Sequence, residues 1–180
     1  MAMFSYSVFH TLSPITESLY LSSGAAASSA TNLRIKGITF VVNATLSPTK
    51  IPTGLNIRSM QVPVDDVPHA LLSPYFERVA DKIREEKLRG GRTVVHCVAG
   101  VSRSASLCIA YLMKHESLTL REAYEYVKGR RAVIRPNWGF WKQLISYEFR
   151  LFGRNTVHMV PSPVGWIPDV YEKQVKNMVW

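Results

Sequence analysis

One segment of the chain sets a nucleophile, a cation and a run of small residues side by side: Val94-Val95-His96-Cys97-Val98-Ala99-Gly100-Val101-Ser102-Arg103-Ser104. Cys97 and Arg103 bracket five residues. With Arg at roughly one position in fourteen, two cysteines give that pair by chance about one time in seven, so spacing alone carries little. The context carries more. The pair lies between an apolar, β-branched run and an apolar helical run, and Gly100 sits mid-way. A loop closing onto a helix N-terminus can turn its N–H groups inward as a nest for an anion. Small residues permit the curl, and Gly100 can take a positive φ. N–H groups from Val98, Ala99, Gly100, Val101, Ser102 and Arg103 would hold a phosphate dianion, and the Arg103 guanidinium would add a two-pronged contact. The same field acts on sulfur. A free thiol ionises at about 8.5, and helix N-termini and cations lower that value. A Cys97 thiolate could attack phosphorus in line and accept the phosphoryl group.

Such a reaction needs a proton for the leaving oxygen. Phenolate leaves fairly well, since a phenol ionises at about 10, whereas a Ser or Thr alkoxide depends more on an acid. The carboxyls placed for this are Asp65 and Asp66, on the loop after the alternating run Ile57 to Val64. Glu77 and Asp81 lie on the next helix and read as a solvated face.

The elements that must position these groups follow from periodicity. Leu19-Tyr20-Leu21 reads as a strand, Ala25 to Lys36 as a helix stopped by Gly37, and Ile38 to Val42 as a buried strand. Asn43 to Leu55 carries Pro48, Pro52 and Gly54 and reads as loop. Ile57 to Val64 reads as a strand, and Ser73-Pro74 opens a helix that ends at Gly90-Gly91. Thr93 to His96 is a buried strand, and helices follow over Ser104 to Lys114, Leu120 to Lys128 and Trp138 to Phe152. The order predicts one α/β domain, a mostly parallel sheet of about five strands flanked by helices. Residues 1–17 read as an N-terminal extension, 18–153 as the domain, and 154–180 as a tail packed on it through Val157, Val160, Trp166 and Ile167.

The segment His96 to Ser104 resembles the signature of the dual-specificity phosphatases within the protein tyrosine phosphatase superfamily: His-Cys, five residues, then Arg-Ser. The resemblance runs from about Ser18 to Gly153. It implies Asp66 as general acid and base, with Asp65 its neighbour. It implies Ser104 as the hydroxyl that eases breakdown of a phosphoenzyme, and Asn137 as a residue bracing the phosphate loop. The tail is similar to that of short atypical members, which lack a kinase-docking domain. Phosphoprotein substrates, with MAP-kinase pathway proteins among the candidates, come from this resemblance, and no cofactor is implied. RNA 5′-phosphates, phosphoinositides or phosphoglycans stay open as substrates, and so does a phosphate-binding adaptor without turnover.

Composition narrows the rest. A chain of 180 residues with 47% hydrophobic and 19% charged residues suits one globular core. The formal charge of +9 favours anionic partners, yet no nucleic-acid motif or basic arm occurs, so no nucleic acid is expected. Two cysteines without CxxC or HxxxH spacing argue against a disulfide scaffold and a metal centre. No apolar run reaches bilayer length, and the N-terminus makes a poor signal or transit peptide. The expected compartment is the cytosol, with nuclear access and mitochondrial association both open. Cys108 reads as a core thiol, and His96 as a ring that orients the loop through a backbone bond. Arg130, Arg131 and Arg135 form a basic cluster, either a solvated face or a site for acidic flanks of a phosphopeptide. Trp166 and Tyr171 read as packing residues.

Overall fold

The structure is a computed structural model describing residues 3–177. It opens with α1 (Met3–His10), β1 (Ser13–Pro14), β2 (Leu19–Ser23), α2 (Gly24–Ala27), α3 (Ala30–Ile35), β3 (Phe40–Asn43) and β4 (Arg58–Gln61). A 3-10 turn (Ser73–Tyr75) leads into α4 (Phe76–Leu88), followed by β5 (Thr93–Cys97), α5 (Arg103–His115), α6 (Leu120–Arg130) and α7 (Trp138–Phe152). The hairpin β6 (Met159–Ser162) and β7 (Gly165–Pro168), a second 3-10 turn (Asp169–Tyr171) and α8 (Glu172–Lys176) complete the described residues.

The sheet order is β1-β2-β5-β3-β4, with β5 central. Strands β2, β5, β3 and β4 run parallel, and β1 alone is antiparallel. The expected α/β architecture is therefore present. Alternation along the strands divides the core, because successive side chains face opposite sides. Leu19, Leu21, Val42, Val95 and Cys97 face the larger cluster with α4 to α7. Tyr20, Val41 and Val94 face the smaller cluster closed by Ala26, Leu33 and Ile38. Cys97 ends the central strand, where open parallel sheets place their ligands.

The segment expected as one helix over Ala25 to Lys36 is two. Ser23 caps α2 by accepting from the Ala26 N–H at 3.1 Å, and Ser29, in extended conformation, caps α3 through the Asn32 N–H at 3.2 Å. A serine held this way stops one helix as it starts another. The expected strand Ile57 to Val64 is shorter, because β4 closes at Gln61, two residues before Pro63, which has no N–H for a ladder. The N-terminal segment holds a helix and an edge strand.

The tail attaches at several points. Val157, Tyr171 and Val175 are buried, the Trp141 Nε1–H donates to the Tyr171 hydroxyl at 2.9 Å, and Arg121 pairs with Asp169 at 2.9 Å. Trp166 departs from its expected packing role, with 61% of its surface exposed. Neighbouring strand residues point to opposite faces, and here Ile167 is buried while Trp166 is exposed.

Helix α7 fixes the loop before α4. Gln143 Oε1 accepts from the N–H groups of Leu72 and Ser73, each at 2.8 Å. Gly139, in the first turn, lies so close that a Cβ there would stand 1.8 Å from the Pro68 carbonyl oxygen. Gly139→Ala should therefore cost about 1–3 kcal/mol in urea unfolding, the range for overpacking. Gly129→Ala, where an added Cβ meets nothing within 4 Å, should stabilise by up to about 1 kcal/mol through helix propensity. Equal effects of the two changes would contradict the close approach of α7 to Pro68.

Candidate active site

The loop from Cys97 to Ser102 is shaped by where its carbonyls go. His96 Nδ1 bonds the Cys97 carbonyl at 3.1 Å, the Gly24 N–H bonds that of Val98 at 3.0 Å, and the Arg135 N–H bonds that of Val101 at 2.8 Å. The Arg131 guanidinium takes the two between, with Nη2 on Ala99 at 3.0 Å and Nε on Gly100 at 2.8 Å. Ser106 reaches the Ser102 carbonyl with both its N–H, at 3.0 Å, and its hydroxyl, at 2.8 Å. Six successive acceptors are thus engaged by groups outside the curl. Among the described residues, the N–H groups of Ala99 and Ser102 bond no carbonyl, which leaves them available to an anion, and that of Val101 is turned to the Cys97 sulfur. Gly100 has φ +69°, and a Cβ there would lie 2.5 Å from the Ser22 carbonyl, so both backbone angle and close approach require glycine.

Sulfur sits at the bottom of this curl. Cys97 is 2% exposed. Its Sγ accepts from the Gly100 N–H at 3.2 Å and the Ser104 hydroxyl at 3.1 Å. Burial opposes the thiolate, but the Ser104 hydroxyl, the N–H groups of Ser104 and Val101 and the Arg103 charge together outweigh it, and the thiol ionises below its ordinary value. Cys108 has no such donors among the described residues, and burial pushes its thiol up. The two cysteines therefore differ in reactivity. His96 is pushed down, chiefly by burial, and as a neutral ring its Nδ1–H donates to the Cys97 carbonyl.

Arg103 opens α5 and is buried. Its Nη1 donates to the Val64 carbonyl at 3.1 Å, while its buried Nε has no partner among the described residues. A buried donor of that kind calls for an acceptor, and a phosphate oxygen is one. Asp66 is exposed on the loop after β4, and its Oδ1 accepts from Asn137 Nδ2 at 2.9 Å. Asp65 is turned elsewhere, with Oδ1 accepting from the Asp66 N–H at 2.8 Å. Asn137 meets the phosphate loop through its main chain, whose N–H donates to Ser102 Oγ at 3.0 Å, while its side chain reaches Asp66 and also caps α7 through the Phe140 N–H at 2.9 Å.

Sequence reasoning did not find the role of Arg131. The basic cluster divides: Arg130 is exposed over the Tyr126 ring at 3.4 Å, whereas Arg131 is 1% exposed. Beyond its two loop carbonyls, Arg131 Nη1 donates to the Val8 carbonyl at 2.8 Å and Ser13 Oγ at 3.0 Å. It is neither a solvated residue nor a peptide-binding one, but a pin between the N-terminal segment and the loop. One hint was available in sequence, since Arg131 occupies the buried face that includes Val127.

Comparison with known proteins defines the class. Residues 19–150 match the family model "Dual specificity phosphatase, catalytic domain". The chain belongs to the dual-specificity protein phosphatases, and is an enzyme of that class. It is 51% identical over 168 residues to human dual specificity protein phosphatase 18, covering 93% of this chain and 89% of that one. Identity to human dual specificity protein phosphatase 14 is also 51%, over 170 residues, covering 93% and 84%. The crystal structure of human DUSP28 superposes with a TM-score of 0.74 at 36% identity, covering 78% of this chain and 94% of that one. That of a mouse putative dual specificity phosphatase complexed with zinc tungstate gives 0.76 at 33%, covering 80% and 90%.

Ser104→Ala removes a hydrogen bond to the sulfur anion, so the pH profile of iodoacetate alkylation of Cys97 should move to higher pH. The rate at mildly acidic pH should fall about ten-fold, as for a lost bond to a charged group. Arg131→Gln touches neither sulfur nor substrate, and should shift the profile the same way by loosening the curl. Unchanged profiles in both variants would refute this electrostatic account.

Proposed function

We propose that the protein hydrolyses phosphotyrosine and phosphoserine or phosphothreonine in proteins through a cysteinyl-phosphate intermediate. The observation that carries this is the Cys97 sulfur held by the Gly100 N–H and Ser104 hydroxyl inside a loop whose carbonyls are all tied outward. In the first step the Cys97 thiolate attacks phosphorus, the bond from phosphorus to the leaving oxygen breaks, and Asp66 gives that oxygen a proton. In the second, water attacks phosphorus, Asp66 takes the proton, and the sulfur leaves as an anion stabilised by Ser104. Arg103 holds two oxygens of the transferring group, which its unpartnered Nε supports. Asp66 takes the acid role over Asp65 because Asp66 is the carboxyl tied to Asn137, and Asp65 is occupied by a main-chain N–H. Exposure of Asp66 and of Val98 at the rim supports an open site reached by short as well as aromatic phosphoresidues.

The nucleophile must stay a thiol, which supports a reducing compartment, cytoplasm or nucleus. MAP-kinase pathway proteins are the first phosphoproteins to assay, on resemblance alone.

Cys97→Ser should abolish turnover of aryl phosphates and phosphopeptides while inorganic phosphate still binds. Asp66→Asn should lower kcat on phosphothreonine peptides by about 10²–10⁴-fold, and by much less on an aryl phosphate with a good leaving group. Full activity of Cys97→Ser, or equal losses on both substrates in Asp66→Asn, would rule the assignments out.

A further inference from the structure

Two tryptophans stand open on the same side of the catalytic loop. Trp166 is 61% exposed and Trp138, the first residue of α7, is 48% exposed. With Val164, itself 56% exposed, they line a cleft of about 300 Å³ between the N-terminus of α7 and the tail hairpin. Exposed tryptophan at a cleft leaves a large apolar area in water, and such areas commonly mark binding surfaces.

The cleft adjoins the segment that holds the catalytic loop. Arg135 and Asn137 form part of its wall. Those same residues hold the loop, the Arg135 N–H on the Val101 carbonyl at 2.8 Å and the Asn137 N–H on Ser102 Oγ at 3.0 Å. Asn137 also bonds Asp66. Arg135 and Asn137 therefore stand between the loop and the cleft.

The rim is cationic. The Arg135 guanidinium lies 4.3 Å over the Tyr171 ring and bonds Gln174 Oε1 at 3.0 Å, and Lys142 Nζ lies 4.7 Å over the Trp138 ring. Neither has a carboxylate within ion-pair distance among the described residues. The walls are also fixed in place. Tyr171 is buried and bonded by Trp141, and Ile167 packs inward beside Trp166. A preformed aromatic slot with a cationic rim fits a bulky apolar side chain that has an acidic neighbour.

We propose that this cleft is a specificity subsite for the phosphoprotein substrate, taking one bulky apolar side chain close to the phosphorylated residue, with an acidic residue beside it favoured by Arg135 and Lys142. The subsite rests on the phosphatase reading above. It gives the tail hairpin a share in substrate selection, together with the start of α7.

A panel of phosphotyrosine peptides tests it. One leucine or phenylalanine is moved through three positions on each side of the phosphotyrosine in a glycine-rich background, and kcat/KM is measured against an all-glycine reference. The wild type should favour the apolar residue at one position by about ten-fold, the effect of burying part of such a side chain. Trp166→Ala should reduce that preference to about two-fold or less, and Trp138→Ala should do so independently. The rate on a small aryl phosphate, which has no flanking residue, should be unchanged in both. Preference retained in both variants, or absent from the wild type at every position, would overturn the subsite. So would variants that alter only self-association by light scattering, since a second copy would then be the occupant. A variant that keeps its circular dichroism spectrum but loses aryl phosphate turnover would place that tryptophan in the catalytic machinery and would overturn the subsite. If the wild type itself fails to turn over aryl phosphate, the phosphatase reading falls, and the two failures stay distinct.

Discussion

The site depends on a main chain whose oxygens are all held outward. From Cys97 to Ser102, each carbonyl meets a donor outside the curl. The N–H groups are left to face the other way, toward a buried sulfur. Without that, burial alone would keep the thiol protonated, as it does at Cys108. The arrangement uses donors from remote parts of the chain: Gly24 at the start of α2, Arg131 at the end of α6, Arg135 before α7, and Ser106 on α5. Arg131 is the most exacting of these. A buried guanidinium has to be satisfied, and leaving one of its donors unpaired would cost about 1–3 kcal/mol. Its partners Val8 and Ser13 make the N-terminal segment part of the support for a loop some ninety residues away.

A second constraint fixes the loop that carries Asp66, the proposed acid. Asp66 lies on a loop with no regular structure of its own, and that loop is gripped from three sides. Arg103 holds the Val64 carbonyl, Asn137 holds Asp66 itself, and Gly139 allows α7 to approach Pro68. Two of the three grips come from the first turn of α7. The same turn borders the tryptophan cleft, so the Asp66 loop, the loop after Cys97 and the proposed peptide subsite share one support.

Much of this was legible in sequence, and the reasons are physical. A short apolar run, a glycine-bearing loop of small residues and an apolar helix are local patterns, and they located Cys97, Gly100, Arg103 and Ser104 and the parallel sheet around them. The limits of α7 were equally local, with Asn137 capping one end and Gly153 at φ +69° ending the other. Long-range pairing was not legible. Arg131 looks like its exposed neighbour Arg130 until the fold brings Ala99 and Gly100 beside it. The serines at 28 and 29 look like helix residues until Ser29 takes an extended conformation and caps α3. Trp166 looks like core by composition, and only the pleat of β7 decides that Ile167 faces inward in its place.

The most direct test of the central claim is an ultraviolet titration of thiolate absorbance, taken as the difference between the wild-type protein and Cys97→Ser. Cys108 contributes nothing near neutral pH, because burial pushes its thiol up. The outward-tied loop predicts one transition, with a midpoint clearly below the value of about 8.5 for a free thiol. A midpoint at or above that value would show that the curled main chain does not keep the sulfur anionic, and would contradict the account.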